Sequence, residues 1–587
     1  MAEGARDPRR GSTARWVIGG LIVVLVAWLL VSGVVVWSAR QHVNDGLDAL
    51  ERARTAIDES GLGGGGARSD LRAAKDAFGA ASSLAGGPVL APWRIMPLAG
   101  SNVRSVASLT SAAERVAEVG EKAAGRAREI LHQHPSTGPE RLAMLSDLAA
   151  VTRRAERSLR TVDLGPDFFL VGPLGDARER FVERFDQLRT SLANATAAAE
   201  GVERLMRGPR KYLVLAANNA EMRGGSGMML SAGVATFENG EFSLGEMRPT
   251  PDFNLPAGAV TVPEDLQRLW GWTPIGQDWR WLGTSPRFDL NAPLAADMWN
   301  AATGERVDGV LAVDPIVVHA LLDAQGPIEV DGRRLTKDDV VPFLLLDQYV
   351  FAAADPEQAA RRDQLSNVAR GAIDTLSSRA WNPDRLARTL SDAGRGRHVL
   401  AWSRDPIEER AWKGAGIGGD LHFNSLLVSI LNTGGNKLDQ FLEADARLTV
   451  TDRADRGRDA TVSVRVRNVA PTSGLPAYVS GPYGGTDLVA GEYQGLVAVN
   501  TPGVGSLPQL EGLPSLLVAG RDGPTKVVAA GPLRLEPGET ASVTVRFVLP
   551  EQLDQIVVEP SARTPAISWR FDGDRWRDTS PHTVDLG

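Results

Sequence analysis

Five residues hold the best local case for chemistry: Arg223-Gly224-Gly225-Ser226-Gly227, placed just after an apolar run. Glycines let backbone N–H groups turn inward around an anion, and a guanidinium beside them pairs with phosphate through two parallel bonds. The same residues also make a plain turn with Arg223 and Glu221 as a surface pair. A second cluster is aromatic. Trp270, Trp272, Trp279 and Trp281 place four of the chain's 14 tryptophans within twelve positions, with Pro274 and Gly276 between them. Indole faces stack on sugars and sit at interfaces; they also close hydrophobic cores. Other signals are weaker. Gly414-x-Gly416-x-x-Gly419 has a dinucleotide-binding spacing, but a short helix precedes it where that mechanism needs a strand. The seven histidines are scattered; His132 and His134 would face different sides of a helix, and His319 lies on an apolar helix as a structural residue. Walker, Gly-x-Ser-x-Gly and His-Glu-x-x-His patterns do not occur.

The elements around these residues form an α/β pattern over 208–440. Tyr212–Ala217 is a buried strand, and Ser231–Phe237 with Glu241–Met247 flank Asn239-Gly240, the pair a type I′ hairpin turn needs. Asp314-Pro315, Asp355-Pro356, Asn382-Pro383 and Asp405-Pro406 each put a capping side chain before a first-turn proline. Asp308–Val313, the helix from Pro315, and Pro327–Val330 suggest a strand-helix-strand unit. Beyond it, 445–587 alternates: Val462, Val464 and Val466 on one side of a strand, Ser463, Arg465 and Arg467 on the other. Short strands with Gly/Pro turns predict an Ig-like β-sandwich.

Toward the N-terminus the pattern is helical. Residues 40–207 are rich in Ala, Arg and Glu, and Leu109, Ala112, Val116, Val119 and Ala123 form one apolar stripe. Breaks at Gly63–Gly66, Gly86-Gly87-Pro88, His134-Pro135 and Gly165-Pro166 divide a stalk or bundle of four or five helices. The segment Pro88–Leu98, apolar with Trp93 and three prolines, either touches lipid headgroups or packs under the bundle. The run Trp16–Trp37 carries no charge and, as a helix, spans roughly 33 Å, enough for a bilayer's hydrocarbon. Arg6, Arg9, Arg10 and Arg15 lie in the basic leader 1–15, which should stay cytoplasmic. A cleaved signal peptide fits less well, because Trp37 occupies the only candidate exit, where a small residue is wanted.

Composition narrows the classes. In 587 residues the net charge is −8, so no broad basic surface recruits nucleic acid. Cysteine is absent, which removes disulfides, thiolate nucleophiles and zinc–thiolate sites.

The stretch Lys211–Leu215 through Asn218-Asn219-Ala220-Glu221-Met222-Arg223-Gly224-Gly225 resembles bacterial proteins grouped as domain-of-unknown-function family 4012. Val307-Asp308-Gly309-Val310, Asp314-Pro315, Gly326-Pro327-Ile328 and Asn432-Thr433-Gly434-Gly435-Asn436-Lys437 extend the likeness. A more distant resemblance is to the LytR-CpsA-Psr phosphotransferases, anchored enzymes that move glycopolymers from a polyprenyl-pyrophosphate carrier to the wall. That likeness implies an α/β/α sandwich with a mixed sheet gripping a pyrophosphate. Arg223 stands at its first arginine, Arg248 at its second, and Arg361, Arg362 and Gln364 in place of its helical set. The acidic residues that follow each arginine there are missing: Gly224-Gly225-Ser226 and Pro249-Thr250 stand instead, so the metal ligands are in doubt.

These readings combine into a multidomain α+β protein: leader 1–15, transmembrane helix 16–37, helical stalk 40–207, α/β domain 208–440 and sandwich 445–587. It is expected in the plasma membrane, single-pass, N-terminus cytoplasmic, with the bulk extracytoplasmic. The leading expectation is an envelope protein of unassigned activity that binds an anionic polyprenyl-linked glycan or wall glycopolymer. Its anion-binding residues would be Arg223, Gly224, Gly225, Ser226, Arg248, Arg361, Arg362 and Gln364. The alternatives are an active glycopolymer phosphotransferase, the only reading that calls for a cofactor (Mg²⁺), and a non-catalytic envelope scaffold.

Overall fold

The computed structural model describes residues 10–60, 66–96, 99–354, 364–379, 381–454, 457–482 and 487–586. The chain divides into two compact units, residues 1–132 with 147–196, and residues 133–146 with 197–587.

The first unit is helical. It contains α1 (Arg10–Ser60), α2 (Gly66–Gly86) and α3 (Ala99–Leu131), with parts of α4 (Gly138–Leu159) and α5 (Gly172–Arg207). The Gly86-Gly87-Pro88 break ends α2, and His134-Pro135 and Gly165-Pro166 fall between helices, as the poor helix propensity of Gly and Pro requires. Small residues set the spacing. Ala49, Ala74, Ala113 and Ala117 pack around Phe78, whose ring occupies the space that a side chain at Gly46 would need. Among the described residues no helix is long and apolar enough to cross a membrane. Of the run Trp16–Trp37, the side chains before Val26 lie outside the described set.

The second unit is built on sheets. Strands β1 (Arg210–Met222), β2 (Gly227–Glu238), β3 (Glu241–Leu244), β4 (Arg248–Pro249) and β5 (Gly309–Val313) belong to the first sheet. β6 (Ile328–Val330) and β7 (Arg333–Leu335) form a separate hairpin, and β8 (Val399–Ser403) completes the first sheet in the order β3-β2-β1-β5-β8, with β4 beside β2. β1 pairs parallel with β5 and antiparallel with β2, so the sheet is mixed. The β1 sequence explains why it is central: Leu213, Leu215 and Ala217 enter one core while Val214 and Ala216 enter another on the opposite face. The β2–β3 turn has Asn239 at φ +52° and Gly240 at φ +80°, the expected hairpin geometry. Asp314, Asn382 and Asp405 cap their helices as predicted; Asp355 lies outside the described residues. The strand-helix-strand expectation needs correction. β5 and the helix Pro315–Gln325 are present, but β6 turns back onto β7 and never joins the main sheet.

The C-terminal part is a sandwich of two six-stranded sheets over one core that includes Val462, Val464, Val466, Val543, Val545 and Phe547. Its boundary also differs from expectation. The strand Ser425–Asn432, assigned by sequence to the α/β domain ending at 440, pairs with Tyr493–Pro502 in the middle of a sandwich sheet. Leu426, Val428 and Ile430 face the sandwich core; Leu431 faces the core of the α/β layer together with Leu496, Ala498, Val527 and Ala529. A strand buried on both sides carries no alternation, so only the half-exposed strands after Ala446 signalled a β domain.

Candidate functional site

β1 ends at Met222, and the turn Arg223–Ser226 leads into β2 with Arg223 N–H donating to Ser226 O at 2.8 Å. The turn is closed, not open to solvent. Arg223 is 5% exposed; its Nε donates to Arg280 O (2.6 Å), and Nη1 donates to Met222 O (3.0 Å) and Asn432 O (2.7 Å). The guanidinium also lies 5.4 Å from the Trp281 ring. Burial pulls its pKa down, against the carboxylates of Glu221 and Asp439. Gly224 is needed for close approach: a Cβ there would fall 2.1 Å from Thr284 O. Its own carbonyl accepts from Ser429 Oγ, and Ser226 Oγ donates to Gly227 O. Gly225 is pressed against Pro286. These glycines therefore bring three chain segments together rather than cradling an anion.

Of the other expected residues, Arg248 and Gln364 are described. Arg248 is exposed, paired with Asp252 at 3.1 Å and laid over Phe253 at 4.8 Å. Gln364 opens the helix Gln364–Ser378. Arg361 and Arg362 lie outside the described residues.

What the β1 terminus does assemble is a buried ionic network. The Lys437 ammonium pairs with the Glu221 carboxylate, and the Tyr349 and Tyr478 rings each lie 5.0 Å from Nζ. Burial disfavours the Lys437 charge, yet Glu221 and the two tyrosines more than offset it and raise its pKa. Asp439 accepts from Met222 N–H (3.0 Å), Asn432 Nδ2 (2.9 Å), Arg563 Nη1 (2.8 Å) and Tyr493 OH (3.3 Å). Burial, with Asp439 beside it, pushes the Tyr493 phenol well up. The two motifs quoted from opposite ends of the α/β region, Asn218–Gly225 and Asn432–Lys437, thus meet in one place. Their charges are satisfied by each other.

A neighbouring pair escaped the sequence reading. Asp314 uses Oδ1 to cap the helix Pro315–Gln325 and Oδ2 to accept from His398 Nδ1 (2.6 Å) and Asn219 Nδ2 (2.8 Å). Burial lowers the His398 pKa, but Asp314 wins and the net shift is upward. Asp314-Pro315 was legible only as a helix cap, and nothing local linked it to a histidine 84 positions later. His319 Nδ1–H donates to Lys337 O (2.8 Å), a structural role as expected.

The tryptophan cluster divides in two. Trp270 and Trp279 are fully buried in the α/β core, and Trp279 Nε1 donates to Phe253 O. Trp272 is 52% exposed and meets the half-buried Trp281 edge-on at 6.5 Å. Between Trp279 and Trp281, Arg280 reaches the surface and pairs with Asp278 at 2.6 Å. The surface here therefore exposes one indole and one guanidinium, with Trp281 and Asp278 half-buried beside them.

A family model described as "Protein of unknown function (DUF4012)" matches residues 207–349. The match covers β1 through the hairpin β6–β7 and includes the tryptophan cluster; the helical unit and the sandwich fall outside it. No curated protein and no solved structure matches the chain.

Proposed function

From a chain whose residues 207–349 belong to this family of unknown function, we propose a membrane-tethered, extracytoplasmic envelope protein that holds a wall glycan. The N-terminal run Trp16–Trp37 is the single-pass tether, with the basic leader inside the cell. The glycan is an anionic wall polymer or its polyprenyl-phosphate-linked precursor. One observation carries the binding part: Trp272 is exposed beside the half-buried Trp281, and the buried Arg223 lies over the Trp281 ring. Indole faces stack on pyranose C–H groups, and a planar guanidinium–carboxylate pair such as Arg280–Asp278 matches the hydroxyl and phosphate groups beside them.

The phosphotransferase reading draws no support from this geometry. The guanidinium that it needs for a leaving pyrophosphate is spent on three backbone carbonyls.

The test measures binding of purified wall glycopolymer, and separately of its polyprenyl-linked form, to the full chain in detergent. Trp272→Ala and Trp281→Ala should each lower affinity about tenfold, the worth of one lost aromatic contact. Equal affinity of both variants and the parent chain would refute the glycan reading.

A further inference from the structure

In the helical unit, the turn Ala91–Ile95 docks on the apolar part of α1. The Trp28 and Trp93 rings stack at 4.9 Å; Trp28 Nε1 donates to Val89 O at 2.9 Å and Trp93 Nε1 donates to Ser32 Oγ at 3.2 Å. A second loop joins through the start of α3. Asn102 Nδ2 donates to Phe169 O, Val171 N–H donates back to Asn102 Oδ1, and Ser101 Oγ also reaches Phe169 O. The two loops then present their large apolar side chains outward. Ile95 is 87% exposed and Phe169 70%, with Met96, Phe168 and Val171 also exposed. Leu29, Leu30, Val34 and Val36 are exposed on α1 itself.

We infer that these two loops, around Ile95 and around Phe169, insert into the outer leaflet of the bilayer beside α1. The inference rests on the reading of α1 as a membrane tether. Nine residues separate Trp28 from Trp37 and five separate Ser32 from it, about 13 Å and about 8 Å of helix. With Trp37 at the outer interface, a turn fastened to Trp28 and Ser32 therefore lies within the outer half of a hydrocarbon layer about 30 Å thick. Lipid at that depth demands internally satisfied polar groups. Both indole N–H groups have partners within the protein. Trp93 N–H and Met96 N–H donate to Leu90 O and Trp93 O, and Gly100 N–H closes on Met96 O. Arg94 folds back, its Nη2 donating to Ala85 O. Water is a poor neighbour for such a surface, and a fatty-acyl layer continuous with α1 is a suitable one.

The chain has no cysteine, so a single label site can be introduced at will. Ile95→Cys, Phe169→Cys, Leu30→Cys and Ser463→Cys are each labelled with an environment-sensitive fluorophore in the full chain, reconstituted in phosphatidylcholine–phosphatidylglycerol vesicles. Quenching by lipids carrying a nitroxide on the acyl chain is then read at each site. Quenching at positions 95 and 169 to the same extent as at 30, with none at 463, is the expected result. Quenching at 30 alone would overturn the loop insertion and leave the tether standing. No quenching at 30, 95 or 169 would overturn both.

Discussion

The end of β1 and the Trp272–Trp281 surface use the same residue types to opposite ends. Both combine arginine, carboxylate and aromatic groups of the kind that recognise a ligand. At the β1 end, Arg223, Glu221, Lys437, Asp439 and Arg563 are buried and bond to one another or to carbonyls, so their chemistry is exhausted inside the fold. At the other, Trp272 and Arg280 are exposed, with Trp281 and Asp278 half-buried beside them. Residue type therefore marks where strong interactions are available, and burial decides whether the protein or a ligand uses them.

The largest effect that would break this contrast concerns the buried pair. Lys437→Met leaves the Glu221 charge without its partner and should cost about 3–5 kcal/mol in urea unfolding. Combining it with Glu221→Gln should recover much of that loss, because no unpaired charge remains. A ligand-binding role instead predicts intact stability in the single variant.

The next effect is a pH dependence of the same buried layer. Asp578 is pushed up to about 6 by burial, despite N–H donors from Ser561 and Ile567. A carboxyl whose folded pKa lies above its unfolded value holds its proton more tightly in the native state. Its contribution is thus greatest below about pH 4 and is lost as pH rises to 6, a change of about 3 kcal/mol. Denaturant titrations across that range should show the fall, and Asp578→Asn should flatten it. His398 acts in the same direction at higher pH. Its raised pKa favours the folded state below its ordinary value near 6.5, and that contribution fades as pH climbs through the folded pKa.

A smaller effect tests the turn itself. Arg223→Lys keeps the charge but cannot reach three carbonyls with one planar fork, and should cost about 1–3 kcal/mol. Glycan affinity should change little, because a cation is kept beside Trp281. The smallest stability effect belongs to the open surface: Trp272→Ala should stay within about 0.5 kcal/mol of the parent, while its glycan affinity falls. A large loss of stability there would make Trp272 a core residue and erase the contrast.

Much of the architecture was legible in local pattern. The Asn239-Gly240 turn, the Asx-Pro caps and the Val462–Val466 alternation all follow from backbone sterics or from one exposed face, and each depends on residues within a few positions. The family resemblance was legible too, because its motif is contiguous from Lys211 to Gly225. Which of the candidate residues are buried and which exposed was not. Arg223 and its glycines read as an anion loop because sequence cannot tell a turn that opens to solvent from one filled by Thr284, Pro286 and Asn432. The division of the tryptophans into the buried Trp270 and Trp279, the half-buried Trp281 and the exposed Trp272 also waits on which neighbours cover them.

What the chain's sequence determined alone is the set of elements and their local ends, because periodicity, capping and turn preferences act over a few residues. Only the tertiary structure decided which charges are internal partners, where β9 (Ser425–Asn432) belongs, and which indole of the cluster is exposed. Those outcomes depend on contacts between segments far apart in the chain. Glu221 meets Lys437, and Asp439 meets Arg563, only after the sheets have packed and excluded water from between them.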